Sequence, residues 1–528
     1  MLKFKWQSQT LMLAAAALVA SGCSGGSGNS ESTATASQTA SASQTATGSA
    51  TASPEGTDAG AKEIAGGRPV TLTVDLHGWM PTVNTEPTAE NPTVFLSTQK
   101  IADAFMKLHP NVKIAWARTK PVGKLQNEIA EWLTTQISAG TAPAITFTWG
   151  NNYLDRDWYE PLGDALSTPD EYVAGNAKWS DLFPDYLMKH RSLVDNSKQP
   201  VAVPIVLYSG PATGYYYNKD LFESLGINPP KDWEEMFKDA KLLKEKGYVP
   251  FAQWGNFKQI ELGQWNQQFS VGPFFAAALM DKTDYDKDGQ VDTLETLRAT
   301  KAGLFNAAEH DYAQEMYRQL KRMYTELLPA GWQNTDFSQP WNDGKVAMRE
   351  EGLWALQAEN GNKQRKFNYG VIPAPPITKS TSPDVADVQY TEKGPYQPDP
   401  DLSLNILKPI VKDNPDLKEA AVAFLKYLTV PENISMMVLE QGASLGAVKG
   451  SEIPPLLDDW MNNAFPIMPK ASWPNAFTDE QGIALNKQFE MWVKGETDDA
   501  KFFAKSNEIQ QKSADDYIKK MNIDTTGW

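Results

Sequence analysis

The sequence predicts an α/β fold with a mostly parallel sheet, set behind a long segment that does not fold. Three observations carry this expectation. After about Arg68, short runs of alternating apolar residues trade places with longer amphipathic runs, the order expected of βαβ units. Residues 24–61 are almost wholly Ser, Thr, Ala, Gly and Gln, with no aromatic residue. Such a stretch cannot bury enough apolar surface to offset the entropy of ordering. From Arg68 to Trp528 the composition is that of ordinary globular protein and the length suffices for two domains.

In chain order, Val70 to Leu76 alternates apolar and polar residues and reads as a strand. A loop rich in Pro, Thr and Asn runs to about Pro92. Gln99 to Leu108 reads as a helix and Val112 to Trp116 as a second strand. Lys124 to Ser138 reads as a helix, with Leu125, Ile129, Trp132, Leu133 and Ile137 on one face and Gly140 closing it. Ala144 to Trp149 is the third expected strand. Leu221 to Leu225 and Trp233 to Lys246 are expected helices, the second opened by Asn228-Pro229-Pro230-Lys231-Asp232. Asp416 to Leu428 is another, capped by Asn414 with Pro415 in its first turn and closed before Pro431. The C-terminal stretch is mostly helical in pattern, and no internal repeat is visible.

Cys23 is the single cysteine of the chain. Lys3 and Lys5 precede an apolar run from Leu11 to Ala20, followed by the small residues Ser21 and Gly22. The run is short for a membrane span, so residues 1–22 read as a signal peptide. A cysteine at the cut point resembles the lipobox of bacterial lipoproteins, with Ala20 where Leu is usual. That resemblance implies a lipidated Cys23 at the cell membrane, with everything from Ser24 on its extracytoplasmic face and no other membrane contact. Residues 23–66 would then form a tether of roughly 30–40 Å root-mean-square reach. No later apolar run approaches the length of a transmembrane helix. The net charge of −16 argues against nucleic acid as a partner. No intramolecular disulfide is available, so stability rests on the core.

Three stretches then carry a family resemblance. The first runs from Gly214-Tyr215-Tyr216-Tyr217-Asn218-Lys219-Asp220-Leu221-Phe222 through Gly226 to Glu235. The second is Gly344-Lys345-Val346-Ala347-Met348 with Gly352-Leu353-Trp354 and Phe367 to Pro373. The third is Ala420 to Asn433. In this order they resemble the extracellular solute-binding proteins of carbohydrate ABC importers, family 1, the maltose-binding-protein-like group. Two departures stand out: Ala144 follows Pro143 where the family often has Asp, and Gln441 to Lys449 replaces a Pro-containing segment.

The resemblance implies a periplasmic-binding-protein-like II fold: two discontinuous α/β lobes with a hinge and an interlobe cleft. The first lobe would hold residues 67–206 and 369–450, the second 207–368 and 451–528. The chain would cross near Pro204 to Tyr208, Tyr369 to Ser403 and Gly442 to Pro454. The implied function is capture of a mono- or oligosaccharide, richness in Trp favouring the longer ligand, and delivery to the permease subunits of an ABC importer. The expected state is a monomer without enzymatic activity.

A sugar presents hydroxyls and apolar C–H faces, so its site needs flat rings and directed polar groups. Open α/β sheets bind ligands at the carboxyl ends of strands. Trp79 and Trp149 follow the ends of expected strands, with Asn151 in the next loop. Trp254 and Trp265 flank amide-rich segments, and Tyr208 sits at the first crossing. By family position, Trp149 and Trp354 match stacking residues of the two lobes. Arg349 is a further candidate, or else half of a surface ion pair.

Residues 284–295 follow the EF-hand spacing. Asp284, Asp286 and Asp288 stand at positions 1, 3 and 5, Gly289 at 6, Gln290 at 7, Asp292 at 9 and Glu295 at 12. This predicts a structural calcium (Ca2+) site, against the plainer reading of an acidic surface loop rich in Asx turns.

An enzyme and an adhesin are the other readings open to the sequence. Gly442-Ala443-Ser444-Leu445-Gly446 matches a nucleophile elbow, but Ile434 to Glu440 before it is helical in pattern and all four histidines come earlier in the chain. A secreted glycan-active enzyme needs two facing carboxylates, which a sequence cannot reveal. A lectin-like adhesin is the third option.

Overall fold

The computed structural model describes residues 63–83, 85–86, 94–117, 126–147, 153, 156–195, 197–208, 213–253, 266–287, 289, 291–332, 335–352, 355–385, 400–457 and 473–528. Ten strands form two sheets among these. They are β1 (Val70–Val74), β2 (Val112–Trp116), β3 (Ile145–Phe147), β4 (Val203–Tyr208), β5 (Thr213–Asn218), β6 (Val249–Gln253), β7 (Val346–Gly352), β8 (Tyr369–Ile372), β9 (Pro400–Ile406) and β10 (Ser444–Gly446). The six-stranded sheet has the order β10-β4-β9-β3-β1-β2, and the four-stranded sheet β6-β7-β5-β8.

The expectation of mostly parallel sheets is corrected. β1 runs parallel to β2 and β3, and β6 to β7; the other five pairings are antiparallel. The cause is the route of the chain. β4 runs up to the edge of the first sheet, and four residues later β5 starts in the second. β5 therefore points away from that edge and opposes β7, which ends there. β9 arrives from the second sheet after β8 and likewise opposes β3 and β4. Sequence periodicity reports a strand but not its direction.

The domain boundary also moves. β8 pairs with β5 from Tyr215↔Ile372 to Asn218↔Tyr369, so residues 369–372 belong to the second sheet rather than to the returning first-lobe segment. The return to the first sheet is complete at β9.

Local signals hold where they are chemical. The helix Ser97–Leu108 buries Ile101, Ala102 and Phe105 on one stripe. The helix Trp233–Glu245 starts at Asp232, whose carboxylate accepts from Glu235 N at 2.9 Å. The helix Pro415–Leu428 starts at Asn414, whose side chain accepts from Leu417 N at 3.0 Å. Each cap satisfies one of the amides a helix leaves unpaired at its start. Gly140, with φ +67°, ends the helix Gln126–Ser138 as expected.

One apolar core gathers under each sheet. The first joins Leu72, Val74, Ile145, Leu404 and Ile406 of its strands to Phe105, Phe424, Leu425 and Met437 of its helices. The second joins Tyr215, Phe251 and Met348 to Trp233, Tyr317, Trp492 and Phe502, so the C-terminal helices Asp479–Val493 and Asp499–Met521 pack with the second sheet. A third cluster takes Leu207 and Leu445 from the first sheet and Tyr216 and Val346 from the second. It is the apolar bridge between them.

The amino end of the helix Ser97–Leu108 lacks a cap from its own flanking side chain. Glu440, remote in sequence, supplies one: its two carboxylate oxygens accept from Leu96 N and Ser97 N, each at 2.8 Å. Charge-assisted bonds of this kind contribute ~1.5–3 kcal/mol together with the favourable helix dipole. Glu440→Ala is expected to lower the unfolding free energy by about 2 kcal/mol in urea denaturation; an unchanged midpoint would show that water replaces the cap without loss.

Candidate functional site

β1, β3 and β4 finish on one edge of the first sheet, and β6, β7 and β8 finish on one edge of the second. Residues 209–212 join Tyr208 to Thr213. Five Cα steps of at most ~3.6 Å keep those two strand ends within about 18 Å of each other. Closer in, Gln357 Nε2 of the short helix Leu356–Asn360 donates to Glu440 O at 2.9 Å, linking the segment after β7 to the helix Pro431–Gln441 of the first core. The two edges thus border one another.

Of the expected ligand residues, Trp79 and the main chain of Tyr208 are described, both at these ends. Trp79 closes a single 3-10 turn, His77–Trp79, just after β1, half-buried against the first core. Tyr208 is the last residue of β4, paired with Ser444 in β10; its side chain lies outside the described residues. Trp149 and Asn151 follow β3, Trp254 and Trp265 lie between Gln253 of β6 and Asn266, and Trp354 follows β7. These five are also outside the described residues, while the strands that lead to them all end on the shared edge.

Arg349 is corrected to an interior role. It is 3% exposed, inside β7, and its guanidinium pairs with Glu359 at 2.6 Å. Arg365 reaches the same Glu359 carboxylate at 2.7 Å, and Trp341 Nε1 donates to it at 3.0 Å. The Arg349 guanidinium lies over the Trp341 ring, 4.4 Å from its centroid. A charge so enclosed is held by its partners and not offered to a ligand.

Two buried acids that sequence reading passed over organise the rim. Asp75, 3% exposed, lies just past β1. Its Oδ1 accepts from His77 N at 2.9 Å and its Oδ2 from the Thr146 hydroxyl of β3 at 2.8 Å. The turn after β1 is thereby tied to the strand beside it. His77 takes φ +52° there, and its ring lies 4.7 Å from that of Phe147. The signal was available: Asp-x-x-Gly at a strand end marks an Asx turn.

Glu350 does the same in the second sheet. Its Oε1 accepts from Thr213, the first residue after the crossing, at 3.0 Å and from Ser270 at 2.7 Å. Its Oε2 accepts from Asn266 Nδ2, while the Tyr324 hydroxyl donates to Asn266 Oδ1. One carboxyl group thus fastens the start of β5 and the chain on the far side of residues 254–265. Arg349-Glu350-Glu351, three charges running inside a strand buried at every position, was the trace of it.

Glu350 and Glu351 are consecutive strand residues and point to opposite faces, so they do not form a facing catalytic pair. Ser444 opens β10 directly after the helix Pro431–Gln441. A nucleophile elbow needs the reverse order, strand then helix. A separate concavity of about 510 Å³, lined by Lys244, Tyr248, Tyr324, Trp332 and Lys494 among others, lies beside the first residues of β6, at the end of that strand away from the shared edge.

Of the calcium-loop residues, Asp284, Asp286 and Glu295 come together, with one carboxylate oxygen from each inside a 4.8 Å set. Asp292 caps the helix Thr293–Lys301. Asp288 and Gln290 lie outside the described residues.

Burial raises both Glu350 and Glu351 to about 7, although three hydrogen-bond donors favour ionised Glu350, and the Gly352 amide and Arg349 favour ionised Glu351. Between about pH 4.5 and 7 the folded chain therefore keeps protons that the unfolded chain has released. Stability falls as pH rises through that window. The thermal midpoint is expected to be higher at pH 5 than at pH 8, and Glu350→Gln is expected to narrow the difference; an unchanged slope in that variant would assign the effect elsewhere.

With this geometry in place, comparison with known proteins gives a consistent picture. The family pattern described as "Bacterial extracellular solute-binding protein" matches residues 89–434. A binding protein of Brucella abortus strain 2308 is 32% identical over 160 residues, which is 28% of this chain and 35% of that one. The sn-glycerol-3-phosphate-binding periplasmic protein of Agrobacterium fabrum is 29% identical over 159 residues, 25% of this chain and 33% of that one. The chain thus spans about a third of the length of the curated relatives it matches. Among solved structures, a chitin oligosaccharide binding protein superposes with TM-score 0.58 at 18% identity, covering 85% of this chain and 99% of that one. RafE from Streptococcus pneumoniae gives TM-score 0.53 at 19% identity over 84% and 98% of the two chains. A family 1 extracellular solute-binding protein from Bifidobacterium longum subsp. infantis gives 0.53 at 15% identity over 86% and 99%. These likenesses show the two-lobed, type II periplasmic-binding fold, and two of the three proteins are named as binding proteins. By its family match and its fold, the chain belongs to the bacterial extracellular solute-binding proteins.

Proposed function

We propose that this protein is a lipid-anchored receptor on the outer face of the cell membrane, which captures an oligosaccharide between its lobes and hands it to the permease of an ABC importer. One observation carries the reading. Trp79, Trp149, Trp254 and Trp354 come five, two, one and two residues after the last residues of β1, β3, β6 and β7, and all four strands finish on the edge where the chain crosses between sheets. Flat rings contributed from both lobes suit a sugar ring sandwiched between them. Similar folds are named for raffinose, stachyose and maltose. Closure about the crossing segments is the expected motion, driven by tighter binding to the closed state.

A thermal-shift screen against raffinose, stachyose, maltose and chitin oligosaccharides tests this. A rise in midpoint with at least one, without release of reducing ends, supports the receptor. A rise only with sn-glycerol-3-phosphate, the ligand of the Agrobacterium relative, or only with peptides, would overturn the oligosaccharide. Turnover would turn the reading to an enzyme. Trp149→Ala and Trp354→Ala are each expected to weaken the sugar roughly tenfold or more, as loss of a buried aromatic anchor does, while leaving the unliganded midpoint within a few degrees.

The anchor rests on Cys23 and its upstream run. Tethering beside a permease raises the receptor's effective concentration there. Palmitate labelling of the chain in its host is expected to vanish in Cys23→Ala; persistent labelling would refute lipidation at that residue.

A further inference from the structure

We propose that Asp284, Asp286 and Glu295, between the short helix Met280–Thr283 and the first turn of the helix Thr293–Lys301, form a calcium site that fastens the second lobe, independent of the ligand in the cleft. The acidic cluster of Asp284, Asp286 and Glu295 supplies hard oxygen donors, with one oxygen from each inside the 4.8 Å set. Calcium takes such ligands at ~2.3–2.6 Å, so oxygens around one ion lie up to about 5 Å apart.

A cluster alone proves little, since acidic loops are common. The second observation is Asp284 itself. The residue is only 7% exposed. Oδ2 accepts from Gly289 N at 3.0 Å, but the buried Oδ1 finds no hydrogen-bond partner among the described residues. A buried carboxylate oxygen without a donor carries an uncompensated desolvation cost. A cation bound by the cluster removes that cost and the mutual repulsion of the three acids together.

The rest of the loop is arranged to serve this. Glu295 Oε1 accepts from Tyr285 N at 2.5 Å and from Asp286 N at 3.2 Å, so its carboxylate is turned back over the loop. Its Oε2 accepts from Asp292 N at 2.9 Å, while Asp292 Oδ1 accepts from Glu295 N at 2.8 Å. This reciprocal pair caps the following helix and fixes Glu295 relative to the loop. A carboxylate oxygen accepts more than one bond, so the amide bonds leave room for a metal. Gly289, at φ +84°, makes the sharp turn without a Cβ, with open space around it.

The site is joined to the lobe. Val291 is buried in the second core. Arg298 stacks on Tyr285, its guanidinium 4.0 Å from the ring centroid. The helix Thr293–Lys301 is pinned to the C-terminal helix by Gln511 Nε2 donating to Thr300 O and by Lys301 paired with Asp515 at 2.6 Å. An ion that orders the loop therefore also steadies the packing of Thr293–Lys301 on Asp499–Met521.

The test uses the full chain, stripped with chelator, and calcium chloride alone as probe. At about 10 mM calcium, ten times the weak ~10⁻³ M end of such loops, the thermal midpoint is expected to rise by a few degrees, with saturable heat on titration. The same concentration of magnesium is expected to give less. Asp284→Asn and Glu295→Gln should each lose the shift. Gln can still reach back to the Asp292 amide as a capping-box residue but has one acceptor oxygen in place of two, so the calcium shift of Glu295→Gln is read against that variant's own calcium-free midpoint. Absence of heat and shift in the wild-type chain would overturn the site. A shift retained by both variants would overturn it too, assigning the calcium to the acidic surface.

Discussion

The chain's repeated passage between its two sheets is the constraint from which the rest follows. Residues 209–212 are too few to let the ends of β4 and β5 separate, so the edges they belong to stay neighbours. The passage after β8 returns the chain to the same border. Strand direction is then dictated: a strand that approaches the border opposes one that leaves it, and the sheets become mixed. β1, β3, β6 and β7 all end at that border. The apolar cluster of Leu207, Leu445, Tyr216 and Val346 fills the space beneath the crossing and makes it a jointed contact rather than a bare linker.

Loops collected at a border are useful only if they are held, and here buried acids hold them. Asp75 binds the turn after β1 to β3. Glu350 binds the first residue of β5, Ser270 and Asn266 to the end of β7. An apolar residue in either place would pack as well but would fix no loop. The cost is desolvation, visible in the elevated titration of Glu350. Stability is given up at the rim so that the rim keeps its shape, a distribution common in binding sites.

How much of this could be read beforehand depends on the range of the interaction. Asn414 and Asp232 cap helices through amides three residues away, and Gly140 stops one by a backbone angle; such chemistry is written locally. The expected strands after Arg68 appear within a residue or two of their places for the same reason. The antiparallel entry of β5 and β9 was not legible, because pairing joins residues far apart in sequence. Arg349 misled because a lone arginine suggests exposure, while its partner Glu359 and the covering Trp341 are brought to it only by folding. Glu350 left a trace, charges in the middle of a buried strand, but its three donors come from two segments remote from it in sequence, Thr213 on one and Asn266 with Ser270 on the other. The EF-hand spacing is the opposite case, since all its donors are within twelve residues, and Asp284, Asp286 and Glu295 do converge.

Glu440 meets two neighbours in different ways. Its carboxylate caps the helix Ser97–Leu108, whereas its main-chain oxygen receives Gln357 from beyond β7. That oxygen lies in the last turn of its helix, where carbonyls have no intrahelical donor. The two roles are therefore unequally exposed to mutation. The cap is encoded by one codon and can be erased by it. The link across the border is encoded on one side only, at Gln357; on the other side every amino acid supplies the acceptor, so drift at position 440 can weaken one lobe while sparing its grip on the other.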